Sequence, residues 1–205
     1  HVRYTNSEAQ AASAESGSSC NDCSSNSGGG GGGDPDPRFE GVERLTVDGV
    51  DTLRFTGMNL QIVNGMGGST SSSTNGHGNL IIGYNETNET ESRGGSHNLV
   101  VGPYHSYNGQ SGAVFGWDNW IDTDFASITG GKVNTISDNG KYASISGGSQ
   151  NWAEGSYSSI HGGVNNHARD GGAVVLGGYG NKAYSIRTVV TGGNSVICTT
   201  QEGVC

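Results

Sequence analysis

A chain of 205 residues with 38 glycines, 3 prolines and a formal net charge of −9 excludes several classes of protein at the outset. Glycine stands at more than twice its ordinary share of about 7%, proline is too scarce for collagen, and the hydrophobic and charged fractions of 31% and 14% are too low for a thick Leu/Phe core. The ten Lys and Arg residues are scattered singly, which leaves no patch for nucleic-acid phosphates, and no apolar run approaches the ~18 residues of a membrane span.

In chain order, residues 1–37 are rich in Ser, Asn, Ala and Gly, include the run Gly28 to Gly33 and end at Asp34-Pro35-Asp36-Pro37. They read as a flexible arm or linker. Val2 and Tyr4 alternate with polar neighbours, so a short assembly strand that adds to a neighbouring subunit is the alternative there. No apolar signal segment starts at His1, and the expectation is a mature, secreted chain. Cys20, Cys23, Cys198 and Cys205 are disulfide candidates in an oxidising compartment. Their pairing is open, a bond between subunits is a further option, and a zinc site gathered from both pairs is the lesser reading.

Residues 38–205 read as one all-β domain, a parallel β-solenoid closed by a C-terminal cap at 195–205. Leu45 and Val47, Leu53 and Phe55, and Leu60 and Ile62 alternate with polar residues between Gly49, Gly57 and Gly65, so the solenoid is expected from Val42, with Gly57 to Gly65 as one coil. Helical periodicity is absent. Asn79 to Gly83, Asn98 to Gly102 and Ala113 to Gly116 are looser coils, with loops expected at roughly 66–78, 84–97 and 103–112.

The C-terminal half repeats openly. Ala126 to Gly131, Ala143 to Gly148, Ser158 to Gly163, Ala173 to Gly178 and Thr188 to Gly193 align, and their first glycines, Gly130, Gly147, Gly162, Gly177 and Gly192, are spaced by 17, 15, 15 and 15. Asn119, Asn134, Asn151, Asn166 and Asn181 form a second register with steps of 15, 17, 15 and 15. Both contain one two-residue insertion near Asp138 to Lys141, which reads as a lengthened turn. A 15-residue coil holds two short strands and tight turns, giving a flattened roll of about ten coils, on the order of 50 Å long at ~4.8 Å per coil. Alternation sends Ile128, Ile145, Ile160, Val175 and Val190 inward, with Ala153, Ala168 and Ala183 opposite them. The Gly pairs are expected to supply positive φ at corners, and the asparagines a side-chain amide ladder.

The unit from Ala143 to Gly155, Ala-Ser-Ile-Ser-Gly-Gly-x-x-Asn-x-Ala-x-Gly, resembles the head repeat of trimeric autotransporter adhesins, the YadA-like left-handed parallel β-roll. The resemblance covers roughly 113–197 and implies a trimeric, extracellular bacterial head that binds host or matrix surfaces. No heptad stalk or anchor strands accompany it in these residues. The leading expectation is therefore a secreted structural protein, a subunit of an extracellular filament or surface assembly, that self-associates head to tail; a trimeric adhesin head binding a glycan or matrix surface is the alternative.

The candidate ligand or cation patch is Trp117 to Phe125, where Asp118, Trp120, Asp122 and Asp124 lie close in sequence. Asx residues at a repeat turn also cap backbone groups, and a hard cation needs 6–8 oxygen ligands. The same three acids carry the minor alternative of a polysaccharide-active β-helix enzyme. His1, His77, His97, His105, His161 and His167 never fall at helical metal-ligand spacing, and His161 is expected on the outside. No nucleophile elbow, Ser-His-Asp order, phosphate loop or calcium nonapeptide occurs, so neither catalysis nor a cofactor is expected. Asn85-Glu86-Thr87 and Asn88-Glu89-Thr90 are glycosylation sequons on an exposed loop.

Overall fold

The computed structural model describes residues 40–68 and 74–205, and divides into two compact units, one ending at Asn59 and one running from Leu60 to Cys205. The arm at 1–37, with Cys20, Cys23 and the strand expected around Val2 and Tyr4, lies outside the described residues.

In the first unit, Val42–Val47 and Val50–Phe55 form an antiparallel hairpin with Val47 paired to Val50 and Val42 to Phe55. The two residues between the strands, Asp48 and Gly49, have φ of 50° and 82°. Asp-Gly at both central positions makes the left-handed two-residue turn whose twist matches paired strands. This corrects the start of the expected solenoid. A chain that reverses in two residues pairs antiparallel, whereas a parallel coil needs a full circuit before it returns. The segment Gly57 to Gly65, expected as one coil, contains no strand.

In the second unit the expectation holds: it is an all-β parallel solenoid of about eight turns. Sheet one has eight strands from Leu80–Ile82 to Val189–Val190, and sheet two has seven from Ser106–Tyr107 to Ile197–Cys198. All of their ladders are parallel. In sheet one the register runs Ile81, Val100, Val114, Ile128, Ile145, Ile160, Val175, Val190, so the coils measure 19, 14, 14, 17, 15, 15 and 15 residues. The two-residue insertion leaves Ile145 paired with Ile128. The loop expected at 103–112 contains the first strand of sheet two, Ser106–Tyr107. A 14-residue coil hides from a search for period 15.

The interior is two columns of side chains. Val100, Val114, Ile128, Ile145, Ile160, Val175 and Val190 are fully buried from sheet one, facing Ile121, Ile136, Ala153, Ala168, Ala183 and Cys198 from sheet two. The expected pairing of large against small describes the later coils, while Ile121 and Ile136 fill the earlier ones. Each buried Ile or Val contributes roughly 1.5–3 kcal/mol by leaving water. With so few inward positions per coil, the backbone ladders must supply the remaining order.

Only one glycine of the Gly147-Gly148 pair is required by its corner. Gly148 has φ of 85°, and a Cβ there would lie 2.1 Å from the Gly163 carbonyl oxygen of the next coil; a Cβ on Gly147 would meet nothing nearer than 4.0 Å. Positive φ is also carried by residues whose type gives no hint of it, including Val133 at 55°, Tyr142 at 64°, Tyr157 at 61° and Arg187 at 54°. Each costs roughly 1–2 kcal/mol in intrinsic strain. The strain is offset because that geometry aims the N–H back at the preceding coil: Val133 N donates to Trp117 O at 3.0 Å and Tyr157 N to Lys141 O at 3.0 Å.

The disulfide pairing that the sequence left open is seen at the C-terminal end. A disulfide joins Cys198 to Cys205, and Cys198 takes the inward place held by alanine in the preceding coils. Residues 203–205 lie along the last strand of sheet one: Val189 N donates to Gly203 O, and Cys205 N to Val189 O.

Gly148→Ala is expected to lower stability by several kcal/mol or prevent folding, because the clash is with backbone that cannot yield without breaking a ladder. Gly147→Ala is expected to stay within about 1 kcal/mol of the parent. Urea unfolding followed by circular dichroism measures both, and equal losses at the two positions would contradict this account of the corner.

Candidate functional site

The asparagine column is built from three bonds per residue. The Oδ1 of Asn119, Asn134, Asn151 and Asn166 accepts the backbone N–H of the next asparagine in the column, and Asn181 serves Val196, at 2.8–3.0 Å. Each Nδ2 donates to the carbonyl four residues earlier, and again to Gly131, Gly148, Gly163, Gly178 or Gly193 of the following coil. All five are at most 1% exposed. The expected ladder of amide to amide is thus a ladder of amide to backbone. Corner N–H and C=O groups are buried and need partners, and a side chain that satisfies them from two coils at once removes a cost of about 1–3 kcal/mol each. These polar atoms are committed to the fold and carry no ligand.

His105 begins the same column, in a place the sequence did not reveal. Its Nδ1 accepts the Asn119 N–H at 3.1 Å, as an asparagine Oδ1 would, and its Nε2 lies 3.1 Å from Val101 O, four residues back, as an Nδ2 would. The pattern fixes a neutral ring with its proton on Nε2. Burial pushes the imidazole below its ordinary value, against the pull of these bonds.

The sequence candidates Asp118, Trp120, Asp122 and Asp124 fall on both sides of a strand. Asp118 occupies the corner before Trp120–Ile121, with φ of 52°; Asp122 and Asp124 lie in the corner after it. Asp122 Oδ1 accepts the Asn108 amide at 2.6 Å, and Asp124 Oδ1 accepts the Gln110 N–H at 3.1 Å while its other oxygen is 4.0 Å from Lys141 Nζ. Among the described residues no cluster of three or more His, Cys, Asp or Glu is placed to hold a metal ion. His161 is exposed as expected, and His97 Nε2 accepts the Asn64 N–H at 3.2 Å. His1 lies outside the described residues.

A second grouping, one residue past the repeat asparagines and unmarked by any motif, sits on the outer face of sheet two. Trp120, Thr135, Trp152, His167, Lys182 and Ile197 occupy successive rungs of one outward row. The Trp152 and His167 rings stack at 4.8 Å with planes 4° apart, and His167 meets Tyr184 edge to face at 5.0 Å. His167 Nε2 is 2.9 Å from a Glu154 oxygen and its Nδ1 is 3.0 Å from the Tyr184 hydroxyl. Burial pushes His167 below its ordinary value, outweighing the opposing pull of Glu154. Neutral His167 therefore donates from Nε2 to Glu154 and accepts the Tyr184 O–H at Nδ1. On a corner of the solenoid, Phe125, Tyr142 and Tyr157 form another stack at 5.4 and 5.0 Å, with Lys141 over the first two rings.

The fold and these surfaces define a parallel β-solenoid repeat protein with an intrachain disulfide. No family model, curated protein or solved structure matches the chain. No helix among the described residues is long and apolar enough to cross a membrane.

The His105 geometry fixes a direction for pH. Because folding lowers its affinity for protons, its contribution is present above an unfolded value of about 6.5 and is lost as pH falls through the folded value. The melting temperature is expected to fall as pH drops below about 6.5. His105→Asn restores the column's usual residue and should reduce that slope, leaving the share from His167. Calorimetry across this range tests it, and identical slopes for parent and variant would contradict the assignment.

Proposed function

We propose that this chain is a secreted, non-catalytic structural protein, a subunit that assembles head to tail into an extracellular filament or surface array. The observation that carries the proposal is the difference between the two ends of sheet one. Its first strand, Leu80–Ile82, has one strand neighbour among the described residues, and its three side chains are 42%, 38% and 55% exposed, while Val100, Val114 and Ile128 in the column of Ile81 are at 0%. A three-residue apolar strand with no strand on its second edge among the described residues templates pairing with another chain.

At the other end of the same sheet, residues 203–205 extend the ladder and leave Val204 71% exposed. Both ends run parallel to the sheet, so a second copy set beyond the first can pair its Leu80–Ile82 with Gly203 to Cys205 and continue the solenoid. Such a contact is heterologous and does not close on itself, which is the symmetry of a filament. The disulfide supports an oxidising, extracellular setting.

A trimeric YadA-like adhesin head is the second reading. It is supported by the repeat unit at Ala143 to Gly155 and by the small outward row of Ser127, Ser144 and Ser159 on sheet one, which permits close side-by-side approach.

Electron microscopy of the purified chain at rising concentration is expected to show filaments, and Ile81→Lys is expected to abolish them while leaving the circular dichroism spectrum unchanged. Discrete particles at every concentration would overturn the proposal. A stable species near three times 21.0 kDa by light scattering, unaffected by Ile81→Lys, would favour the adhesin head instead.

A further inference from the structure

The outer face of sheet two carries chemistry that end-to-end assembly does not use. We propose that the patch formed by Trp152, Glu154, His167, Arg169, Lys182 and Tyr184 is a binding site for an acidic polysaccharide, whose carboxylate or sulfate groups meet Arg169 and Lys182 and whose sugar ring stacks on the free face of Trp152.

The first ground is uncommitted charge. Lys141 and Arg187 are paired with Asp124 and Glu202. Arg169 and Lys182 form no ion pair among the described residues and sit instead over the Tyr184 ring, 5.4 and 5.6 Å from its centroid. Two cations held by one ring at the surface of a chain with net charge −9 are a local exception to its field.

The second ground is ring geometry. Stacking of Trp152 on His167 sets the indole plane across the solenoid axis, so its opposite face looks toward the rung of Thr135, a small residue, and the side chain remains 45% exposed. An indole face open on one side and braced on the other suits the apolar face of a pyranose. The bracing is rigid, because the Tyr184 hydroxyl, the His167 ring and the Glu154 carboxylate form one hydrogen-bonded chain.

The third ground selects a glycan over other polyanions. A shallow depression lined by Asn139, Glu154, Ser156, Arg169 and Asp170 adjoins the rings and offers amide, hydroxyl and carboxylate groups to sugar hydroxyls. Two cations interrupted by Glu154 and Asp170 fit acid groups spaced along a hydroxylated chain, not the continuous charge of a phosphate backbone.

The test uses the full chain in affinity electrophoresis against polygalacturonate, a carboxylated glycan, and heparin, a sulfated one, with dextran and single-stranded DNA as neutral and phosphate controls. Retardation by at least one acidic glycan is expected, weakened about tenfold in Trp152→Ala, the scale of one lost stacking contact, and by more than that in Arg169→Ser/Lys182→Ser, which removes two charges. Lys132→Ser, on a different corner of the solenoid, should bind as the parent does. Melting temperatures of the exposed-site variants are expected to stay near that of the parent, and Lys182→Ser alone serves if the double variant is unstable. Absence of retardation by both acidic glycans, equal retardation by dextran or DNA, or an equal loss in Lys132→Ser would overturn the proposal.

Discussion

The structure depends on one constraint: the corner of each thin coil that leads from sheet one to sheet two buries backbone N–H and C=O groups that no strand ladder reaches, and an asparagine amide spans two coils to satisfy them. A thick core could absorb a few misplaced polar groups through its hydrophobic surplus. Here a coil has few inward apolar side chains, so polar satisfaction and burial carry comparable weight. The column of Asn119 to Asn181 fixes spacing and register together, because each amide accepts from the next coil while donating both within its own coil and onward. The left-handed corners, the second glycines and the buried aliphatic column follow from that register.

Local coupling of this kind makes stability close to one-dimensional, each coil supporting only its neighbours. The ends then matter more than in a globular domain. One end is tied by a disulfide whose Cys198 replaces a core alanine, and the other presents Leu80–Ile82 with its apolar side chains partly in water. That asymmetry underlies the reading of the chain as an assembly subunit. The sides of the solenoid differ as well, with small serines outward on sheet one and an aromatic and cationic patch outward on sheet two.

What the sequence made legible tracks how strictly each feature repeats. The inward column of Ile128, Ile145, Ile160, Val175 and Val190, the asparagine register and the insertion near Asp138 were readable because like residues recur at steps of 15 with a single step of 17. The 14-residue coils around Tyr107 and Val114 escaped a search tuned to 15, and His105 escaped because imidazole and carboxamide look unrelated until one sees two polar atoms facing the same two backbone groups. The hairpin at Val42–Phe55 was absorbed into the solenoid by its alternation, although Asp48-Gly49 carried the opposing signal of a two-residue reversal. The surface patch lay in the same period, since Trp152, His167 and Lys182 each follow a repeat asparagine by one residue, but residues so unlike in type showed no row until their rings and charges were seen in contact. Sequence alone likewise grouped Asp118, Asp122 and Asp124, which the intervening strand divides between two corners.

The central claim, that buried asparagine amides clamp consecutive coils in register, is tested most directly by hydrogen exchange of those amides in solution by NMR. The account predicts that the Nδ2 protons and backbone N–H groups of Asn134, Asn151, Asn166 and Asn181 exchange as slowly as the N–H groups of the strand pairs beside them. Exchange at the rate of the exposed amides around Glu89 would mean that the column is open to water and does not hold the stack together.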